Sequence, residues 1–477
     1  MRFRDVYNER VLTEAQKVFK DWEGYIKRIP ILKKGVEILK VLEKHGQAYI
    51  VGGAVRDIIS GEKKPDDIDI ATNVPMEKIE SLFKTHDIGA NKDFGIVVVK
   101  HKGEDFEIAQ FRKDGTYTDG RRPDKIEVVA TFKGDAERRD FTINAMAVDS
   151  KGNIIDHFDG QGDIKNKTLR AVGDPDKRFS EDYLRMLRAV RFASRLDLQL
   201  DPEVTTAIQK SSIKIKDIAP ERVTKELLKM AKQKGGKFAD AIVKLDQVGL
   251  LHHILPEVVK MKEFEHDIEN HPEGGVYAHT LAALRASDSK DPIVNLSILL
   301  HDIGKIKTKK MDEKGRITYF QHHKEGAEMV DQIAQRLKLD TKTKNAMKFA
   351  TLNHMKIHDL LKMSNKKIIQ LMNDPNWATL LAVGEMDARA RGKMFNKKEW
   401  DAIKVKIDAI TRQFADKGTD ALTNIRKVVT GSLIMRLKRI KPGPAVGRYI
   451  QKTVDWIADN NINIKDEAKI KKFIKQL

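Results

Sequence analysis

The spacing of apolar residues changes along this chain, and the change separates a mixed region from a helical one. Residues 1–28 are charged, with scattered apolar positions at helical spacing. From Pro30 to His45 the pattern predicts an amphipathic helix. Ala48-Tyr49-Ile50-Val51 is a short apolar run that predicts a buried strand, and it ends in Gly52-Gly53, after which a short helix begins. Across 48–150 short strands alternate with short helices. Phe94–Val99 and Phe106–Phe111 predict a hairpin turning at Lys102-Gly103. Lys113 to Lys125 is a polar loop rich in Gly, Asp and Arg. Beyond about residue 165 the β signal disappears and the rest predicts helices, punctuated at Gly235-Gly236, Gly274-Gly275 and Lys441-Pro442-Gly443-Pro444.

Length and composition narrow the functional classes. The 477 residues suffice for three or four domains, and Lys+Arg 89 against Asp+Glu 70 leaves a formal charge of +19. That excess favours a polyanionic partner such as nucleic acid. With no cysteine, disulfides, thiolate metal sites and Cys nucleophiles are excluded. No apolar run approaches a membrane span and the first residues do not resemble a signal peptide, so the expected location is the cytoplasm. Neither a P-loop nor a dinucleotide-binding glycine fingerprint occurs.

Candidate chemistry starts at the two glycines. Gly52 and Gly53 let backbone approach a ligand, and Arg56 on the following turn offers a fork for phosphate. Ten residues after Asp57 comes Asp67-Ile68-Asp69, in an alternating stretch. On a strand, positions two apart face the same way, so Asp67 and Asp69 can bridge hard cations for phosphoryl displacement. Downstream, Arg138-Arg139-Asp140-Phe141-Thr142-Ile143-Asn144 sets two guanidinium groups beside an acid and an amide, which suits a triphosphate and ribose hydroxyls. A helix is predicted from an N-cap at Ser180, with Glu181 and Asp182 in its first turn. Asp182, Arg185, Arg188 and Arg191 form a polar stripe on it. An adjacent Asp182/Arg185 pair, acceptor beside donor, matches the Watson–Crick edge of cytosine or adenine and rejects guanine and uracil.

The Gly-Gly-Ala-Val-Arg-Asp and Asp-Ile-Asp-Ile-Ala-Thr pairing resembles the nucleotidyltransferase head of the polymerase-beta superfamily. With Arg-Arg-Asp-Phe-Thr-Ile-Asn-Ala, Phe158–Ile164, the Glu181-Asp182-x-x-Arg185 helix and Glu221–Leu227, all in order, the chain resembles the class II tRNA nucleotidyltransferases, the CCA-adding enzymes, over about residues 30 to 450. The resemblance implies an α+β fold: a small head with a mixed sheet, then an all-helical neck, body, HD region and tail. It implies magnesium on Asp67 and Asp69, with Glu107 as third carboxylate. Gly52, Gly53, Arg56, Arg138 or Arg139, Arg188 and Arg191 would hold the triphosphate, and Asp140 and Asn144 would lie near the sugar. Asp182 and Arg185 would serve as the protein template. Tyr183 stands where many relatives carry proline. The loop Arg112–Pro123 resembles the one relatives use to switch from C to A, so full CCA addition to tRNA from CTP and ATP is the expected activity.

A second constellation is His279, His301-Asp302, His323, His354 and Asp387. Its order resembles the HD phosphohydrolase domain, and imidazole with carboxylate suits a divalent transition metal that activates water. The expected domains are an N-terminal extension at 1–29, the catalytic head at 30–150, the neck at 151–215, a helical body at 216–265, the HD domain at 266–395 and an RNA-binding tail at 396–477. In the tail, Lys438, Arg439, Lys441 and Arg448 would grip tRNA backbone. No obligate protein partner is implied. The competing readings are a bacterial poly(A) polymerase, an A-adding specialist, an HD phosphohydrolase with an inactive head, and a non-catalytic RNA-binding protein.

Overall fold

The computed structural model describes residues 19, 21–61, 65, 67–86, 95–115, 126–265, 274–313, 315–414, 425, 428–460 and 462–477. It divides into two compact units, Met1–Met230 with Asp240–Ile254, and Ala231–Ala239 with Leu255–Leu477. The architecture is the expected α+β arrangement, a mixed sheet in the head and helices beyond it.

Among the described residues, the first unit carries nine strands between 48 and 156: β1 (Ala48–Val51), β2 (Asp69–Thr72), β3 (Thr85–His86), β4 (Ile96–His101), β5 (Glu104–Gln110), β6 (Arg112–Asp114), β7 (Ile126–Val128), β8 (Met146–Val148) and β9 (Ile154–Asp156). Seven form one sheet in the order β3-β4-β5-β2-β1-β8-β9, and β6 pairs with β7 separately. β2 runs parallel to β5, while β1 is antiparallel to both β2 and β8. The hairpin β4–β5 turns at Lys102 (φ 50) and Gly103 (φ 85). Two successive left-handed residues match the right-handed twist of the strands they join.

Alternation decides what each sheet face buries. Ile50, Ile70, Val97, Val99, Phe106 and Ile108 point into a core shared with Leu32, Val36 and Leu39 of the helix Pro30–Leu42. The opposite face carries Val51, Ala71 and Ala147, covered by Phe111 and Phe132. Asp69 and Glu107 remain exposed.

Several helices begin at Asp-Pro. Asp174, Asp201 and Asp291 each accept a hydrogen bond from the backbone N–H two residues on, with proline in the first turn. The carboxylate satisfies a donor that the helix leaves open, and proline lacks one there. This places a helix at Pro175–Glu181, and Ser180 sits inside it, donating its hydroxyl to Lys177 O. Ser180 is therefore not the expected N-cap. The chain breaks at the extended Asp182, whose carboxylate accepts from Leu184 N, and a second helix runs Leu184–Arg195.

In the second unit, the helices Val276–Arg285, Pro292–Leu300, His322–Arg336, Thr341–His358 and Trp377–Ala390 form a bundle. Pro292–Leu300 buries nearly its whole length, which is why its sequence is apolar without periodicity. A separate apolar cluster joins Trp400, Ile403 and Ile410 to Ile434, Val454, Ile457 and Ile474. The β signal does not vanish after residue 165. Thr168–Leu169 pairs with Gln199–Leu200, and Lys310–Met311 with Ile317–Thr318, in ladders too short to leave a sequence period. Among the described residues no helix is long and apolar enough to cross a membrane.

Candidate active site and metal centre

Strand register gathers the head carboxylates. Val51 pairs with Asp69, and Ile70 pairs with Ile108, so Asp69 and Glu107 occupy one face of neighbouring parallel strands. Strand β2 begins only at Asp69, so Asp67 precedes it, with Ile68 buried between the two exposed aspartates. Crowding by protein, then the charges of Asp67 and Glu107, push the Asp69 carboxyl up to about 6, against the opposing pull of Arg139. The Asp69 side chain still reaches solvent, so the repulsion among the three acids is the component a cation would relieve.

Behind these acids, Asp135 is fully buried and holds two guanidinium groups. Its Oδ1 accepts from Arg138 Nε and Nη2 at 2.9 and 2.7 Å, and its Oδ2 from Arg139 Nε and Nη2 at 3.1 and 2.9 Å. Burial opposes ionisation of Asp135, yet Arg139 and Arg138 hold its pKa below the ordinary value. Arg139 Nη1 donates to Asn144 O at 3.3 Å and passes 3.3 Å from where a Gly52 Cβ would stand. Gly52 itself has φ 69, a conformation glycine adopts without a side-chain clash.

Arg56, expected at the phosphates, is turned inward. It is 4% exposed, donates from Nε to Asp57 Oδ1 at 2.7 Å and from Nη1 to Asn144 Oδ1 at 2.6 Å, and stacks 4.7 Å from the Phe192 ring. Asn144 Nδ2 in turn donates to Asp140 Oδ1 at 3.0 Å, and Arg188 Nε donates to Asp140 Oδ2 at 2.7 Å. A continuous polar chain thus runs from the Gly-Gly helix to the neck. Asp140 is buried, which alone would raise its pKa, but Arg188, Asn144 and Arg185 hold it well below the usual carboxylate range. Arg191 lies 4.1 Å from Phe192 and donates to Glu226 Oε2 at 2.6 Å.

Asp182 lies in the break between the two helices and Arg185 in the first turn of the second, each with its own partner. Arg222 Nη2 donates to Asp182 Oδ2 at 2.8 Å, while Arg185 Nη1 donates to Glu181 and to Arg178 O. Tyr183 has φ −61, the value proline would impose, so tyrosine here holds a backbone that proline would also fit. Loop residues 116–125 lie outside the described residues, as does His271.

The second cluster is built on the bundle. Two donor triads, His279/His301/Asp302 and Asp302/His322/His354, share Asp302, and all are buried. His301, His322 and His354 each set Nδ1 2.7–2.9 Å from a backbone carbonyl, of Ile298, Tyr319 and Thr351. A carbonyl only accepts, so Nδ1 carries a proton in each ring, and Nε2 is the atom left facing inward that a metal would take. His322 Nε2 and His354 Nε2 face each other at 3.2 Å, and buried His301 Nε2 makes no hydrogen bond. Inward Nε2 atoms around an anionic Asp302 fit a divalent cation. Burial works against the Asp302 charge, but Lys305 and His301 hold its pKa well below the ordinary value.

Asp387 accepts from His279 Nε2 at 2.9 Å and from His358 Nε2 at 2.7 Å. His323, named in the expected ligand set, belongs to neither triad. Its neighbour His322, first residue of its helix, points in instead. Glycine at 304 permits the close backbone approach here, since a Cβ on it would lie 2.0 Å from His322 O.

Comparison with known proteins follows the same division. Residues 48–170 match the poly A polymerase head domain, 197–261 the probable RNA- and SrmB-binding site of polymerase A, and 275–391 the HD domain. The CCA-adding enzyme of Bacillus pumilus is 43% identical over 227 residues, 47% of this chain and 55% of the relative. That of Ligilactobacillus salivarius is 46% identical over 207 residues, 43% and 50% of the two chains. The chain is similar to CCA-adding enzymes in sequence and in fold. The chain spans about half the length of the curated relatives it matches. The crystal structure of the Bacillus stearothermophilus CCA-adding enzyme in complex with CTP aligns with TM-score 0.63 at 26% identity, covering 94% of this chain and 98% of that one. The Thermotoga maritima CCA-adding enzyme complexed with tRNA shares the fold at TM-score 0.56 and 18% identity, covering 96% and 98%. The matched head and HD domains imply dependence on divalent metal.

Sequence reasoning missed Asp57, Asp135, Glu181, Arg222, Glu226, His322 and His358. Asp135 was readable, because an acid three and four residues before an Arg-Arg pair on a helical turn meets both. Arg222 and Glu226 were not, because their partners lie 40 and 35 residues away.

Proposed function

We propose that this chain adds C, C and A to the 3′ end of tRNA from CTP and ATP without a nucleic-acid template, releasing pyrophosphate. The observation that carries this reading is the grouping of Asp67, Asp69 and Glu107 beside Arg139, where burial, then the charges of Asp67 and Glu107, raise the proton affinity of Asp69. Hard oxygen donors suit magnesium, which when bound would polarise the α-phosphate and neutralise developing charge. Arg138 and Arg139, braced by Asp135, receive triphosphate oxygens, and Gly52 leaves room for backbone to approach them. Asp140 and Asn144 orient the sugar, while Arg188 and Arg191 extend the cationic wall. Asp182 accepts from the amino group of cytosine or adenine, and Arg185 donates to the ring acceptors. Holding the tRNA 3′-hydroxyl in line with the α-phosphate supplies much of the rate.

The basic excess and the tail cations Lys438, Arg439, Lys441 and Arg448 support tRNA as the partner, and the cytoplasm as the place of work. Asp67→Ala is expected to abolish nucleotide addition while tRNA affinity, measured by filter binding, stays near wild type. Normal incorporation by that variant would remove the reading.

A second activity is favoured by the two triads sharing Asp302. We assign this cluster hydrolysis of phosphoesters at RNA termini, 2′,3′-cyclic phosphates being the proposed substrates, with a divalent transition metal. A terminus blocked in this way cannot be extended until its hydroxyls are restored. Release of 2′- or 3′-phosphate from 2′,3′-cyclic nucleotides, with magnesium, manganese, nickel and cobalt in turn, tests it. Absence of both turnover and bound metal would leave the cluster structural.

A further inference from the structure

Arg222 comes from a different helix than the pair it touches. It lies in the first turn of Pro220–Ala231 and reaches across to Asp182, whose Oδ2 it meets at 2.8 Å. The other oxygen, Oδ1, accepts from Leu184 N at 3.0 Å. Both oxygens are therefore anchored, by a main-chain donor on one side and a guanidinium on the other. Each retains acceptor capacity, and the anchors decide where it points. Both side chains are largely enclosed, at 22% and 15% exposure, so water competes poorly for the contact.

Anchoring matters more for rejecting a wrong base than for holding a right one. Cytosine and adenine present an amino donor to Asp182, whereas uracil and guanine present a carbonyl at the same place. A fixed carboxylate meets that carbonyl acceptor to acceptor and cannot relax. A loose one rotates away, and a water then bridges the mismatch. Discrimination by Asp182 thus depends on whatever prevents its rotation.

The geometry points to Arg222 as a positioning residue that sets nucleotide selectivity through Asp182. It rests on the nucleotide-addition reading above. Glu181 performs the corresponding service for Arg185, with Arg178 Nη1 2.9 Å from the same Glu181 oxygen.

The test is single-nucleotide incorporation into tRNA lacking CCA, with kcat and KM measured for CTP, ATP, UTP and GTP. Wild type is compared with Arg222→Ala, Arg222→Gln and Arg222→Lys. The ratio of kcat/KM for CTP over UTP is expected to fall about tenfold in Arg222→Ala and Arg222→Gln, most of it as gained UTP use. Arg222→Lys, which restores a charged donor, is expected to recover most of the ratio. A purely structural role would lower all four nucleotides together and leave the ratio unmoved. An unchanged ratio in Arg222→Gln overturns the inference, as does a loss that Arg222→Lys fails to repair. Arg222→Gln nearly conserves volume, so it remains informative should Arg222→Ala not fold. Wild-type protein that incorporates nothing would instead sink the underlying activity, a distinct outcome.

Discussion

Arg188, on the helix Leu184–Arg195, donates from Nε to Asp140 Oδ2 at 2.7 Å across 48 residues of sequence. Asp140 is 7% exposed, so its charge depends on that partner. Removing one member of a buried pair typically costs about 3–5 kcal/mol, because the other is left uncompensated. Arg188→Ala is expected to lower the unfolding midpoint sharply. The double variant Arg188→Ala/Asp140→Ala should cost clearly less than the two singles added. Strict additivity in urea unfolding would show that the two do not cooperate. Because the folded pKa of Asp140 is depressed, its contribution is complete above the unfolded value of about 3.9 and fades only as pH falls toward the folded value.

The sign is opposite at Asp69. Its carboxyl is raised to about 6 in the metal-free fold, so the folded state holds a proton that the unfolded chain has released. In metal-free protein this site weakens the fold as pH climbs from about 4 to about 6. A cation needs the deprotonated form, so affinity should climb over the same window and level off above it. Titration calorimetry with manganese at about pH 5, 6 and 7 checks this. Asp69→Asn should remove most of the binding. Affinity independent of pH would show that Asp69 is not a ligand.

Neighbouring histidines separate the two readings of the second cluster. His322 Nε2 faces His354 and Asp302, whereas His323 belongs to neither donor triad. His322→Ala and His354→Ala are expected to lose metal by elemental analysis after desalting. His323→Ala should retain it. Loss in all three alike, or in none, would contradict the ligand assignment.

What was legible in the sequence was local. The Gly52-Gly53 turn and the β4–β5 hairpin follow from period-two alternation and turn chemistry, whereas the placement of Glu107 near Asp69 came only from the family resemblance, because it rests on a parallel pairing of distant strands. The helix start at Asp174-Pro175 was written just as locally but was passed over for Ser180, because the acids at 181 and 182 resemble a first turn. In fact they close one helix and open the next. The choice between His322 and His323 was not legible. One residue of phase at the start of a helix decides it, at a point where the backbones of Gly304 and His322 pack closely. Nor could the sequence say that Arg56 braces Asn144, since only the fold brings residues 88 apart together.

The most direct measurement of the central claim is the product formed on tRNA ending at the discriminator base, resolved to single nucleotides. With CTP alone the account predicts two additions, and with CTP and ATP together it predicts three, ending in CCA. With ATP alone it predicts none. A long A tail, a stop at CC with both nucleotides present, or no extension at all would contradict it.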